Sequence, residues 1–424
     1  MQHTGFSHID NADRNRRVIL NVIRERGPLT RREISDTSGL SITTTKRLVD
    51  QLLRDGCAED LPLEEQPMKR GRKASGIVLN AGYAHSIGVI VQPGMIALSV
   101  VDLSGRVLEE RTIPIGGEHA GELIQWISAE VQHSRIKYKS GGHGGLLGVG
   151  LGVAGVIDAR QGIVFYCPNL PGWENIPLAS QLGRKLAVEV LVDDVVRCIA
   201  LAEKRYGAGI GLTTFLYIYI GRGVGAGIIL DNRFYRGSGG LAGEFGHITV
   251  KEQGPLCNCG NTGCLEALVS QDAILRSVRE LISSGVYSVL KARISQEQPL
   301  SLRDIEQAAE AGDKLANMVI HNVGESIGTG VADLVNIFDP GVVILGGEVI
   351  SHFGDHLIEG ITRTVGLRGI HSITRRTRIL TSDLGGLSAA RGAATMMIER
   401  FFENDILNLG PGPEAAAAGG WRDP

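Results

Sequence analysis

The 424-residue sequence has no apolar run long enough to span a membrane. Its first residues are polar and lack the apolar core of a signal peptide. These absences predict a cytoplasmic protein with no membrane partner. A dominant charge is missing too: 43 Lys and Arg face 46 Asp and Glu, for a net charge of −3. Cysteine is scarce, at six residues. Cys57, Cys167 and Cys198 are scattered, whereas Cys257, Cys259 and Cys264 are bunched. In a large cytoplasmic chain, bunched cysteines point to a metal rather than to disulfides.

What is present argues for more than one packed domain. The length exceeds that of an ordinary compact domain, and a hydrophobic fraction of 43 % supplies sizeable cores. Glycine is abundant, at 58 residues, and falls between apolar runs. That is the texture of an α/β protein with many tight turns or phosphate-type loops.

The bland net charge hides an uneven distribution. Between Arg14 and Arg54 ten Lys and Arg stand against four Asp and Glu, so the remainder of the chain is acidic. A basic block on an acidic body suits contact with a polyanion, although a solvated helix surface has the same composition. Residues 14–26 read as an amphipathic helix with Val18, Ile19, Val22 and Ile23 on one side. Gly27-Pro28 ends it, and Thr30-Arg31-Arg32-Glu33 is a capping box for a second helix. Gly39-Leu40-Ser41 then turns into a third helix, capped by Ser41 and running to about Arg54.

This is helix-turn-helix spacing, with Thr43, Thr44, Lys46 and Arg47 on the early exposed face of the third helix. Residues 58–79 suit a β-wing with the basic tip Lys69-Arg70-Gly71-Arg72-Lys73. The expected partner is double-stranded operator DNA. Arg31, Arg32, Thr43, Thr44, Lys46, Arg47, Arg70, Arg72 and Lys73 are the candidate contacts, to base edges or phosphates. A three-helix protein-interaction module is the alternative.

From Ala81 the texture changes. Apolar runs at 85–91, 96–102 and 107–110 read as a β-meander, followed by a helix near 121–132 and a strand at 147–153. Helix–strand alternation recurs after Thr213, which suggests a two-lobed body with duplicated α/β halves. The tail 410–424, rich in Pro, Ala and Gly, reads as disordered.

The strongest chemical signal is Gly246-His247 followed by Cys257-Asn258-Cys259-Gly260-Asn261-Thr262-Gly263-Cys264-Leu265-Glu266. His247, Cys257, Cys259 and Cys264 make a Cys3His set suited to tetrahedral Zn2+. With four protein ligands no open catalytic position is implied, so the expected site is structural. Three reduced, unligated core cysteines are the alternative.

This segment, Glu244-x-Gly246-His247 and then C-x-C-G-x-x-G-C-x-E, resembles the signature of the ROK family of sugar repressors and sugar kinases. Residues 150–158, Pro168-Asn169-Leu170-Pro171-Gly172-Trp173, Gly221-Arg222-Gly223-Val224-Gly225-Ala226-Gly227, Asp339-Pro340, Leu345-Gly346-Gly347 and Leu384-Gly385 agree in the right order. The resemblance covers roughly residues 80–400. It implies an α/β, actin-like (ribonuclease-H-type) two-lobed sugar-kinase fold, here preceded by an N-terminal winged helix-turn-helix domain as in the family's repressor branch. It also implies that Asn169, Glu244, His247 and Glu266 hydrogen-bond sugar hydroxyls, with the histidine both holding zinc and facing the sugar. The alternative for Glu244 and Glu266 is ordinary surface or capping carboxylates.

A kinase also needs a seat for ATP and a base. Kinases of this family carry an Asp-x-Gly-x-Thr-type loop after the first strand; here Ile90 takes the acidic position and Gln92-Pro93 replaces open backbone. Proline has no N–H to offer a phosphate. Arg222 stands where the second loop usually has a small hydroxyl residue, and Val195 falls on the family's catalytic Asp. Asp194 lies one residue away, a step that normally reverses the face of an extended segment. It is therefore expected to touch ligand, and to be catalytic only if the chain is a kinase.

The sequence thus predicts a DNA-binding domain over 1–80 and a first lobe over 81–198, completed by a returning helix near 386–405. A second lobe with the zinc loop is expected over 199–385, and a tail over 406–424. The expected function is a sugar-responsive transcriptional regulator, a repressor relieved when a sugar or sugar derivative binds between the lobes. Paired DNA modules imply a homodimer or homotetramer. An ATP-dependent sugar kinase with an appended DNA-binding domain is the alternative.

Overall fold

The computed structural model describes residues 8–62, 75–116, 119–140, 144–167, 170, 172–295, 298–402, 405–407 and 409. Asn169, the wing-tip residues Arg70, Arg72 and Lys73, and the tail 410–424 lie outside the described residues.

The head is built from α1 (His8–Arg26), α2 (Arg31–Ser38), α3 (Ile42–Arg54) and an antiparallel hairpin of β1 (Ala58–Pro62) and β2 (Ser75–Leu79). Its punctuation follows the sequence. The Thr30 hydroxyl accepts from the Glu33 N–H while the Glu33 carboxylate accepts from the Thr30 N–H, closing the capping box. Gly39, at φ 70°, ends α2 in the left-handed conformation that glycine adopts without strain. Ser41 caps α3 by accepting from the Thr44 N–H. Helix α1 starts earlier than residue 14, because the polar stretch before Arg14 has too few apolar residues to reveal a helical period. Ile19, Ile23, Ile34, Leu48, Val49, Leu52 and Ile77 make its buried core.

By compactness the chain divides into two units. The first comprises the described parts of 1–154, 161–192 and 393–407, and the second those of 155–160 and 193–392. The first unit continues from the head through β3 (Ala84–Gln92), β4 (Met95–Asp102), β5 (Val107–Pro114), α4 (Ala120–Ser140) and β6 (Gly145–Val153). Short strands β7 (Val156–Asp158), β8 (Ile163–Tyr166) and β9 (Glu174–Ile176) precede α5 (Leu178–Leu186) and β10 (Val190–Asp194). The main sheet has the order β10-β6-β3-β4-β5, with β3 antiparallel to β4 and parallel to β6.

The second unit holds α6 (Val195–Tyr206), β11 (Phe215–Ile220), β12 (Val224–Leu230), β13 (Arg233–Phe234), α7 (Leu265–Val269), α8 (Gln271–Ser283), α9 (Lys291–Ser295), α10 (Leu302–Glu310) and α11 (Lys314–Phe338). It continues with β14 (Val342–Gly346), α12 (Glu348–Arg368), α13 (His371–Thr374), β15 (Arg378–Thr381) and α14 (Ser388–Phe401), whose last part belongs to the first unit. Its sheet order, β13-β12-β11-β14-β15, repeats the first: a meander, then strands parallel to the meander's first strand. That duplication is the actin-like, ribonuclease-H-type architecture.

Burial explains which strands were readable. β3 and β14 are buried nearly throughout and read as unbroken apolar runs, whereas edge strand β5 alternates. In the first unit α14 lies directly on β6: a Cβ on Gly150 would collide with the Ala393 carbonyl oxygen. The same helix meets the head. Arg24 Nη2 lies 2.6 Å from Glu399 Oε1, whose side chain is fully buried, and the Arg24 guanidinium sits 4.4 Å from the Phe402 ring centre. Ile406 and Leu407 are buried as well, so the chain remains packed past the point where the tail was expected to begin. Among the described residues no helix is long and apolar enough to cross a membrane.

Candidate functional site

Thr43, Lys46 and Arg47 are exposed and Thr44 is half-buried, its hydroxyl 2.9 Å from that of Ser41. Arg32 is also exposed. Arg31 is occupied: it pairs with Asp50 at 3.0 Å and Asp60 at 3.6 Å, bracing α2 against α3 and the wing strand. Exposed Ile42 adds an apolar group at the start of α3 that residue-type reasoning passed over. Such a group can meet a thymine methyl in a major groove.

The second unit gathers the remaining candidates except Asn169. His247, Cys257, Cys259 and Cys264 bring their ligand atoms within 4.8 Å of one another. Cys259 Sγ is 3.6 Å from Cys264 Sγ, and Cys257 Sγ is 3.7 Å from His247 Nδ1. A tetrahedral ion with metal–sulfur bonds of about 2.3 Å needs its sulfurs about 3.8 Å apart, so the cluster fits one. The Asn261 backbone N–H lowers the Cys259 thiol to about 7, while burial pushes Cys264 up to about 12.

His247 turns its two nitrogens to different tasks. Nδ1 faces the cysteines, and Nε2 lies 3.9 Å from Glu244 Oε2. Burial raises the Glu244 carboxyl, while His247 and Arg197 pull it down and Glu266 pushes it up. Glu266 accepts from the Val224 N–H at 3.0 Å and so braces the turn at Gly221-Arg222-Gly223. Asp194 caps α6, accepting from the N–H groups of Val196 at 2.8 Å and Arg197 at 3.3 Å. Burial, opposed by Arg197 and reinforced by Asp193 and Glu244, lifts Asp194 to about 6. Asp194, Glu244, His247 and Glu266 therefore form one electrostatically linked group. Its acceptors and imidazole suit a polyol's hydroxyls.

The alternation of β10 sorts its acidic pair. Asp193 turns inward and is buried, whereas Asp194 stays half-exposed. Val195, which the family resemblance aligns with the kinase base, is buried, and so is Ile90. Around the second glycine turn, Arg222 is exposed and Glu348 accepts from the Tyr219 hydroxyl at 2.7 Å. The Glu348 carboxylate lies against Gly221, so a negative group stands beside the turn that would approach a nucleotide's phosphates.

With this geometry in place, comparison with known proteins is decisive. Residues 87–400 match the ROK family, and residues 13–58 match a winged helix-turn-helix DNA-binding domain. The chain belongs to the ROK family. It is 31 % identical over 385 residues to the xylose repressor of Caldicellulosiruptor bescii, covering 91 % of this chain and 95 % of that one. It is 29 % identical over 413 residues to the DNA-binding transcriptional dual regulator NagC of Escherichia coli, covering 95 % and 97 %. Among solved structures, a ROK family transcriptional regulator described as a homolog of the E. coli MLC protein superposes with a TM-score of 0.82. That match has 26 % identity and covers 95 % of this chain and 99 % of that one. A ROK family glucokinase from Streptomyces griseus, in complex with glucose and AMPPNP, superposes with a TM-score of 0.63 at 30 % identity. It covers 74 % of this chain and 98 % of its own. The ROK body is thus common to repressors and kinases, and the repressor-like match extends over the head.

Two features of this ROK chain escaped sequence reasoning. One is the Glu348–Tyr219 pair, contributed by elements more than a hundred residues apart. The other is a buried cluster of Asp193, Arg197 and Arg236. Its available signal was the i, i+4 spacing of Asp193 and Arg197 across a strand-to-helix junction.

Proposed function

We propose that this protein is a cytoplasmic, homo-oligomeric transcriptional repressor of carbohydrate metabolism that binds operator DNA through its winged helix-turn-helix head. Its effector is a sugar or sugar derivative, which it does not phosphorylate. The observation that carries this reading is the union of an exposed Thr43/Lys46/Arg47 face on α3 with the Asp194/Glu244/His247/Glu266 group. The relatives named as xylose repressor and NagC support a sugar as effector and DNA as target. Asn169 is proposed to join the sugar site, and Arg32, Arg70, Arg72 and Lys73 to hold DNA phosphates. Arg31 contributes after release from its acidic partners, or through the alignment of α2 alone.

The Cys3His cluster would hold Zn2+, for which its thiolates and imidazole are suited. The metal would fix the loop and the imidazole's orientation, leaving Nε2 to the ligand. Buried Val195 and Ile90, and the Glu348 carboxylate beside Gly221, argue against phosphoryl transfer. Control requires that sugar bind one conformation of the protein better than another.

The test is a calorimetric panel of D-xylose, D-glucose and N-acetylglucosamine, run beside a gel shift with upstream DNA. Binding of one sugar that weakens the DNA complex is expected. A coupled ATP/ADP assay on the same sugars should show no turnover. Sugar-dependent turnover abolished by Asp194→Asn would establish the kinase instead.

A further inference from the structure

Three charged side chains of the second unit lie in its interior. Asp193 is 1 % exposed, Arg197 6 % and Arg236 2 %. Charges are rarely buried to this degree unless fully paired. Here the pairing is complete around one carboxylate. Asp193 Oδ1 accepts from Arg197 Nε at 2.7 Å and from Arg236 Nη1 at 3.1 Å, and Oδ2 accepts from Arg236 Nη2 at 2.6 Å. The Arg236 contact is two-pronged, an arrangement that fixes orientation as well as distance.

The cluster closes a loop. The Ala242 N–H donates to the Arg236 carbonyl at 3.0 Å, so residues 236–242 form a ring. Both ends of this ring are tied to the junction of β10 and α6. Arg236 holds its start through Asp193, and Arg197 Nη1 donates to the Ala242 carbonyl at 3.2 Å to hold its end. Glu244 follows two residues later. Between them, the Gly243 carbonyl accepts from the Ala226 N–H at 2.9 Å, and Gly243 takes φ 109° where a Cβ would collide with the Ala226 oxygen. The path from ring to Glu244 therefore has little freedom. At the other side of the junction Asp194 directly follows Asp193 and caps α6.

A buried ion triad of this kind is a poor source of stability, because apolar side chains of similar volume commonly do as well or better. Its distinctive product is geometry. We propose that Asp193, Arg197 and Arg236 are positioning residues for effector recognition: they lock the 236–242 ring to the start of α6 and thereby hold Glu244 and Asp194 in fixed relation. This inference rests on the sugar-sensing reading above.

The test uses the full chain. Arg236→Lys keeps the charge but loses the two-pronged grip. Without sugar, hydrogen–deuterium exchange should quicken tenfold or more across residues 237–247 and stay unchanged in α11 and β14. In calorimetry with D-xylose, D-glucose and N-acetylglucosamine, the Kd of whichever sugar the wild type binds should rise tenfold or more. Asp193→Leu/Arg197→Met/Arg236→Met guards against simple misfolding, since it replaces all three buried charges together by apolar side chains and strands none of them. It should melt near the wild-type temperature yet still bind sugar weakly.

The proposal is overturned if Arg236→Lys leaves loop exchange and sugar affinity as in the wild type, or if exchange quickens equally in α11 and β14. It is also overturned if the apolar triple variant binds sugar as tightly as the wild type. If the wild type binds none of the three sugars while exchange in 237–247 responds, the lock stands and the sugar-sensing reading fails.

Discussion

Replacing Asp194 by Asn removes a charge without removing a helix cap, since both residues accept from the N–H groups of Val196 and Arg197. The carboxyl is raised to about 6, chiefly by burial, with Asp193 and Glu244 adding to the rise and Arg197 opposing it. An unfolded Asp titrates near about 3.9. A folded value above the unfolded one means that the protonated side chain favours folding. That contribution is complete below the unfolded value and is lost as pH rises through about 6. A gap of about two pH units corresponds to about 3 kcal/mol at most. Asp194 keeps part of its surface in water, which screens the penalty, so about 1–2 kcal/mol is expected.

Asn carries no such penalty. Urea unfolding of Asp194→Asn and wild type should therefore differ less at pH 4.5 than at pH 7.5, where the variant is the more stable, with unchanged m-values. A variant less stable than wild type at pH 7.5 would refute the reasoning. It would mean that attraction to Arg197 outweighs burial and that Asp194 is ionised well below pH 6.

Arg47→Ala and Lys46→Ala should weaken operator binding in a gel shift and flatten its salt dependence, leaving the thermal melt unchanged. Arg31→Ala should lower the melting temperature of the head as well, because its pairs with Asp50 and Asp60 are lost. Arg24→Met removes the ion pair that Arg24 makes with the buried Glu399 carboxylate and should lower stability in urea unfolding. A loss within experimental error would show that this pair adds nothing net to stability. Mass spectrometry under native conditions should find one zinc per chain, and removing it with a chelator should loosen residues 247–264 in hydrogen exchange while leaving α3 unaffected.

How much of this was legible in the sequence depended on the range of the interactions. The head was readable because its punctuation is local: Thr30 meets Glu33 and Ser41 meets Thr44 within one helical turn. The metal set was nearly as local, with three of its four ligands inside eight residues, and His247 was named by its family context. A one-residue step in an extended strand reverses the side chain, which set Asp194 apart from Val195 without coordinates, but which of Asp193 and Asp194 turns inward emerged only in the fold.

What a linear reading could not supply was the partner of Asp193. Residue 236 lies 43 positions away in a segment without helical or strand period, so an isolated arginine there looks like a surface charge. Arg31 shows the converse: type and position mark it for DNA, and the fold adds Asp50 and Asp60 as partners already beside it. In both cases the charge was visible and its counter-charge was not. The same limit applies to Glu348, whose placement beside Gly221 depends on β11 and β14 lying side by side. The departures from the kinase pattern at Ile90 and Val195 were therefore readable in the sequence, whereas the carboxylate beside Gly221 became visible only when the second sheet was assembled.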